Sequence, residues 1–245
     1  MINTQKFYKS LNLNGLDFYT GVPDSLLKDI CSYISDNAPA DRHIIAANEG
    51  GAIALAMGYY LATNKIPLVY MQNSGFGNTI NPLLSLADSK VYSIPMLLVI
   101  GWRGEPGVKD EPQHVKQGEI SETLLNTLEI PYVAISDKTS NIDKVVSDAV
   151  KHAKDNNEPY AILVRKGTFE PYTLKTKIKT NFDLNREEAI IKTTELLSDS
   201  DIVVATTGKT SRELFEFRAR NNQGHHRDFL TVGGMGHANQ IALGI

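Results

Sequence analysis

The 245-residue chain is 42% hydrophobic and 22% charged with a formal charge of −3, an ordinary globular composition with enough chain for one large or two smaller domains. That balance leaves no basic footprint for nucleic acid or a membrane surface, and no apolar run approaches the roughly 20 residues that span a bilayer. Residues 1–6 lack the apolar core of a signal peptide, and the single cysteine, Cys31, has no partner for an internal disulfide. A cytoplasmic protein with Cys31 as a small core residue is therefore expected.

Short β-branched or aromatic runs alternate with helical patterns along most of the chain. A strand is expected over 16–20, followed by a helix with Leu26, Leu27, Ile30, Tyr33 and Ile34 on one face. Residues 43–46 read as a short interior strand. Residues 50–62 carry no charge and read as a helix buried on most sides. A third strand is expected over 67–71, then a Gly- and Asn-rich loop and a helix over 82–87. Residues 94–101 are apolar on both faces, as a buried parallel strand should be.

An irregular stretch from 102 to 117 follows, broken at Gly104, Pro106-Gly107 and Pro112. Loops of this length inside a domain are usually functional. Beyond it come a helix over 122–128, strands over 132–135 and 160–164, and between them a helix over 142–153. The alternation predicts an α/β fold, an open parallel sheet with helices on both faces. From 168 the sequence turns polar, and 171–185 reads as a linker between a first domain at 1–170 and a second, unfinished α/β unit at 186–245. That unit shows a helix over 186–197, a strand over 202–205, a helix over 212–219 and the start of another at about 238, too few strands for a sheet of usual size.

Ligands of open parallel sheets bind at the carboxyl ends of the strands, and four unusual segments fall at such ends. They are Gly21-Val22-Pro23-Asp24-Ser25, Asn48-Glu49-Gly50-Gly51, Gln72-Asn73-Ser74-Gly75-Phe76-Gly77-Asn78, and Gly101-Trp102-Arg103 with the loop to His114. Each has a purely structural reading. Asp24-Ser25 and Glu49 suit helix N-termini, the Asn/Gly cluster suits turns, and Arg103 has Glu105 nearby for a surface pair. Glu49 also has a functional reading, because an acid among Ala, Gly and Ile is poorly solvated, as functional acids often are. In the second unit Thr206-Thr207-Gly208-Lys209-Thr210-Ser211 joins a strand to a helix and suits phosphate, without the spacing of a Walker loop. His225-His226 and His237 have no acid or Cys ligand at suitable spacing, and no metal site is assigned in this chain.

Three stretches carry a family resemblance: Tyr19-Thr20-Gly21-Val22-Pro23-Asp24-Ser25-Leu26-Leu27, Met71 to Asn78, and Gly101-Trp102-Arg103-Gly104-Glu105-Pro106-Gly107 with Asp110-Glu111-Pro112-Gln113-His114. They resemble the phosphonopyruvate decarboxylases of phosphonate biosynthesis, thiamine-diphosphate enzymes close to the sulfopyruvate decarboxylases. The resemblance implies a carboxy-lyase with thiamine diphosphate and Mg²⁺ as cofactors, in which 1–170 is a pyrimidine-binding domain and 186–245 the beginning of a pyrophosphate-binding domain. It implies a homodimer or larger homo-oligomer with the site between subunits, a small 2-oxo acid substrate, and no nucleic acid or membrane partner. By the same resemblance Glu49 hydrogen-bonds N1′ of the aminopyrimidine and favours the imino tautomer that takes the thiazolium proton.

Asp24 and His114 are implied in the catalytic proton transfers. Asn73, Thr207, Gly208, Lys209, Thr210, Ser211, Gly233 and Met235 are expected at the cofactor. Gly233 would offer its carbonyl to the 4′-amino group, and Met235 would hold the cofactor bent. Ser25, Ser74, Asn78, Arg103 and Lys109 are expected at the substrate. The family's Gly-Asp-Gly metal motif would follow the Gly233-Gly234-Met235-Gly236 stretch and is not found. The Mg²⁺ ligands are therefore expected downstream, and the chain by itself is expected to be a folded but catalytically silent part of such an enzyme.

Overall fold

The computed structural model describes residues 1–176 and 180–245, in two compact units that divide at residue 177. The first unit opens with α1 (Thr4–Leu13), capped by the Asn3 side chain, which accepts from Lys6 N at 3.0 Å. It continues with β1 (Tyr19–Gly21), α2 (Lys28–Asn37), β2 (His43–Ile45), α3 (Glu49–Thr63) and β3 (Leu68–Gln72). A 3₁₀ segment (Asn73–Thr79), one turn of α4 (Ile80–Pro82) and a π turn (Leu83–Ala87) follow. The unit is completed by β4 (Leu97–Gly101), α5 (Pro112–Thr127), β5 (Tyr132–Ile135), α6 (Ile142–Asn156) and β6 (Tyr160–Val164).

All six strands pair in parallel in the order β2-β1-β3-β4-β6-β5. The pleat splits their side chains between two cores. Leu68, Tyr70, Leu97 and Val99 face α1, α2 and α6, where Phe7, Leu11, Ile30, Cys31, Val146 and Ala153 pack. Val69, Met71, Leu98 and Ile100 face α3, the 3₁₀ segment and α5, against Ile53, Ala56, Phe76 and Leu125. Helices thus cover both faces, as the alternation of elements predicts. Cys31 lies in the first core, where burial pushes its thiol up to about 12.

Several local expectations are corrected. β2 is the edge strand of the sheet, with Ile44 and Ile45 exposed, rather than an interior strand. α3 buries Ala52, Ile53, Ala56 and Met57 but leaves Leu55 and Leu61 outward, so its lack of charge does not mean burial all round. α1 was not anticipated, although Phe7 and Leu11 on one helical face and Asn3 before it carry the signal. The irregular stretch is shorter than expected, because Pro112 opens α5 as its first residue, a position where the missing N–H costs nothing. The expected linker is pinned at its start: Asp36 on α2 accepts from Tyr172 Oη, Lys175 N, and Thr176 N and Oγ1. Residues 177–179 of that linker lie outside the described residues.

The second unit contains α7 (Arg186–Glu195), β7 (Val203–Ala205), α8 (Lys209–Arg220), β8 (Asp228–Leu230) and α9 (Ala238–Leu243). β7 and β8 pair in parallel, and Arg218 on α8 holds the buried Asp228 carboxylate through Nε and Nη2 at 2.8 and 2.9 Å. The strand at β8 was not anticipated from the sequence. Among the described residues no helix is long and apolar enough to cross a membrane.

Leu98 sits fully buried in the middle of the sheet, so Leu98→Ala is expected to cost about 3 kcal/mol through lost transfer energy and a residual cavity. Urea unfolding followed by Trp102, the sole tryptophan and a residue of the first unit, should show a lower midpoint with unchanged slope.

Candidate active site

In the first unit the chain leaves β1 toward β2 on one side and takes β3 on the other, so the sheet changes direction between β1 and β3. Crevices form at the carboxyl ends of strands at such points. Four loops stand at this edge: the one after β1 with Asp24 and Ser25, the start of α3 after β2, the 3₁₀ segment after β3, and the loop after β4 with Arg103.

Glu49 is the first residue of α3, behind an Asn48 cap whose side chain accepts from Gly51 N at 2.8 Å. It is only 6% exposed. Asn78 Nδ2 donates to Oε2 at 2.9 Å. The carboxylate lies against the bare Cα of Gly75, where any Cβ would overlap Oε1. A glycine at 75 is therefore what lets the acid sit in the crevice. Among the described residues no hydrogen bond is made to Oε1.

Asp24 is equally buried. Its Oδ2 accepts from Leu26 N and Leu27 N at 3.0 and 3.3 Å, whereas Oδ1 has no partner. It packs against Gly101 at the end of β4, where a Cβ would collide with Oδ2. Burial raises its pKa, and the backbone N–H groups and Arg103 only partly offset that.

Arg103 does not pair with Glu105, which instead meets Arg165 at 3.2 Å. Its Nε and Nη2 bind the two oxygens of Asp110, and Nη1 donates to Ser25 Oγ at 2.7 Å. Asp110 also accepts from Gly104 N, Glu111 N and the His114 ring at 2.9, 2.8 and 2.9 Å. Arg103 holds this carboxyl well below the usual range, ahead of the opposing effect of burial and the further help of His114. The structure thus joins Ser25, Arg103, Asp110 and His114 in one hydrogen-bonded chain, with Asp110 as its centre. The sequence carries Asp110 inside a motif but gives no sign of this role, because the loop that folds it back onto Arg103 is irregular.

Other expected contacts are placed differently. Asn73 is buried and turned inward: Nδ2 donates to Arg103 O and Ser121 Oγ at 2.8 and 2.9 Å, and Oδ1 accepts from Arg103 N at 3.1 Å. These bonds tie the loops after β3 and β4 together. Ser74 accepts from Gln72 Nε2 at 2.6 Å. Lys109 is exposed beside the Asp110 hub and not part of it.

In the second unit, Thr207 and Gly208 lie in the loop after β7. Lys209, Thr210 and Ser211 form the first turn of α8. Ser211 Oγ donates to Thr206 O at 2.7 Å, which turns its hydroxyl proton back into the loop. Gly233 and Met235 lie in the loop after β8, with Met235 exposed. The two loops share one edge of the two-stranded sheet, tied by Thr231 Oγ1 donating to Ala205 O at 2.6 Å. Among the described residues no group of three or more His, Cys, Asp or Glu is placed to hold a metal ion.

An open parallel α/β sheet with a buried helix-start acid beside its switch point is of the class that binds ligands at the strand ends. Residues 3–125 match the family model described as thiamine pyrophosphate enzyme, N-terminal TPP binding domain, and the chain belongs to that family. It is 30% identical over 260 residues to phosphonopyruvate decarboxylase of Streptomyces viridochromogenes, covering 100% of this chain and 63% of that protein. It is 38% identical over 162 residues to sulfopyruvate decarboxylase subunit alpha of Methanococcus maripaludis, covering 66% of this chain and 93% of that subunit. The fold also resembles benzoylformate decarboxylase of Polynucleobacter necessarius, with a TM-score of 0.51 and 14% identity over 86% of this chain and 40% of that one. The chain spans 63% of the length of the phosphonopyruvate decarboxylase it matches.

The raised pKa of Asp24 has a stability consequence. A folded-state value above the ordinary 3.8 stabilises the fold fully below 3.8 and is lost as pH rises through the folded value. Asp24→Asn removes that loss and gives the unpartnered position an amide. The variant should therefore gain on wild type in urea midpoint as pH is raised from about 4 to 7. A gap that stays constant or narrows over that range contradicts the assignment.

Proposed function

We propose that this chain is the aminopyrimidine-holding part of a thiamine-diphosphate-dependent carboxy-lyase that acts on a three-carbon 2-oxo acid with an anionic group at C3. The preferred substrate is 3-phosphonopyruvate, giving phosphonoacetaldehyde and CO2. The observation that carries this reading is the Glu49 carboxylate: buried, held through one oxygen by Asn78, and laid along the bare face of Gly75. Those features fit a flat heteroaromatic ring bearing a nitrogen that shares a proton with the acid. Gly233, Met235 and the Thr207 to Thr210 stretch would hold other parts of the cofactor. When bound, the cofactor supplies the electron sink that CO2 loss from a 2-oxo acid requires.

The remaining work belongs to this chain's side chains. Glu49 Oε1, which has no hydrogen-bond partner among the described residues, is the oxygen that would share a proton with the cofactor's ring nitrogen. Asp24, whose burial favours the protonated form, and His114 move protons to and from the substrate. Two of the five N–H groups of Arg103 have no protein partner among the described residues. They suit two oxygens of a phosphonate. Ser25, Ser74 and Asn78 add neutral donors for a carboxylate that must not be over-stabilised before it leaves. The exposed apolar residues Leu55 and Leu61 of α3 and Ile45 of β2 support association with a second copy.

Sulfopyruvate is the second reading, favoured by the 38% identity to a sulfopyruvate decarboxylase subunit alpha over 93% of its length. A sulfonate would meet the same Arg103 fork. With the magnesium-binding part supplied, CO2 release from the two acids side by side decides between them, and release from neither overturns the proposal. In the same assay Glu49→Gln, which cannot share a proton with the ring nitrogen, should keep the fold and lose on the order of 10²–10⁴-fold in turnover. Arg103→Lys replaces a planar fork by a point charge. It should raise KM for the acid substrate more than it weakens thiamine diphosphate, and a change confined to the cofactor constant would move Arg103 out of the substrate site.

A further inference from the structure

Asp110 lies between the two groups on which substrate binding and proton transfer depend in the reading above, and that reading gives it no task. Its side chain is 7% exposed. Five donors converge on it: Oδ2 takes Arg103 Nε and Gly104 N, and Oδ1 takes Arg103 Nη2, Glu111 N and the His114 ring nitrogen Nδ1. Charge-assisted bonds of this kind are the strong ones, and the paired contact to a guanidinium sets its plane as well as its position. Arg103 is further fixed by Ser25.

An ionised carboxylate accepts and cannot donate. The 2.9 Å contact from His114 to Oδ1 therefore requires hydrogen on Nδ1. In a neutral imidazole that leaves Nε2 as the acceptor. The main chain reinforces the arrangement, since Asp110 precedes α5 and His114 sits in its first turn four residues on.

We infer that Asp110 is a positioning residue: its carboxylate sets the plane of the Arg103 fork and holds His114 in the Nδ1–H tautomer, so that the Nε2 lone pair is the proton acceptor at this edge of the sheet. The inference rests on the proposed reading only for what His114 does with its proton. The tautomer itself is a property of this chain.

An asparagine at 110 shows why the charge matters. Its amide must turn two hydrogens toward one set of donors. Placed at Oδ2 it faces Arg103 Nε and Gly104 N, neither of which can become an acceptor. Placed at Oδ1 it faces one group that can, the imidazole, by moving its proton from Nδ1 to Nε2. Asp110→Asn should thus exchange the His114 tautomer.

The test is the long-range proton–nitrogen correlation spectrum of the histidine rings in the uniformly ¹⁵N-labelled chain at pH 8.5, where unperturbed imidazoles are neutral. His114→Gln assigns the signal among the six histidines. The expected wild-type pattern has a protonated Nδ1 and a bare Nε2 for His114. In Asp110→Asn the two nitrogens should exchange character while the other imidazoles keep theirs. An Nε2–H tautomer in the wild type overturns the inference, and so does an unchanged His114 in a folded Asp110→Asn. If that variant does not fold, the wild-type spectrum alone decides. Turnover plays no part in the readout, so an inactive preparation counts against the proposed activity and not against Asp110.

Discussion

The change of direction between β1 and β3 is the constraint on which the rest of this structure depends. A parallel sheet sends every connection back over its faces, so only the loops at the strand ends are free to carry chemistry. Where successive crossovers part to opposite sides, the loops after β1 and β3 separate and leave a crevice. The Asp24 loop, the start of α3, the 3₁₀ segment and the Arg103 loop stand at that edge because the strand order puts them there.

Three carboxylates are buried at this edge, and each is compensated differently. Asp110 is the most fully paired, with a guanidinium and two backbone N–H groups that keep it ionised. Asp24 has two backbone donors for one oxygen and nothing for the other, and its burial outweighs its partners. Glu49 has the field of a helix N-terminus and one amide donor, with its second oxygen against a glycine. Carboxylates in such unlike environments differ in how strongly each is held in its charged form. Asp110 has donors on both oxygens, whereas Asp24 and Glu49 each have one oxygen without a hydrogen-bond partner among the described residues.

The neutral side chains around them are divided in the same way. Asn73 spends every hydrogen-bonding group on the Arg103 backbone and Ser121, which locks the loops after β3 and β4 to each other. Asn78, five residues further along the same segment, donates to Glu49 and lies at the surface. Two asparagines in one short stretch thus point to different partners, one to the neighbouring loop and one to Glu49. Only the turn of the 3₁₀ segment separates their directions.

The sequence by itself determined the fold class and which four segments stand at the carboxyl edge of the sheet. Runs such as 132–135 and 160–164 are apolar, short and bounded by turn residues, so their limits coincide with β5 and β6. Glu49 was legible as a helix-start acid because the residues after it have a helical period and no charge. Strand order was not legible, since nothing local distinguishes an edge strand such as β2 from an interior one; that depends on which strand the neighbour accepts. The partner of Arg103 was not legible either. Glu105 and Asp110 are both within reach in sequence, and only the folded loop, closed by Gly104 N and Glu111 N on one carboxylate, selects Asp110. Local pattern follows from short-range sterics and burial periodicity, which the chain states residue by residue. Pairings across irregular backbone follow from three-dimensional closure, which only the tertiary structure decides.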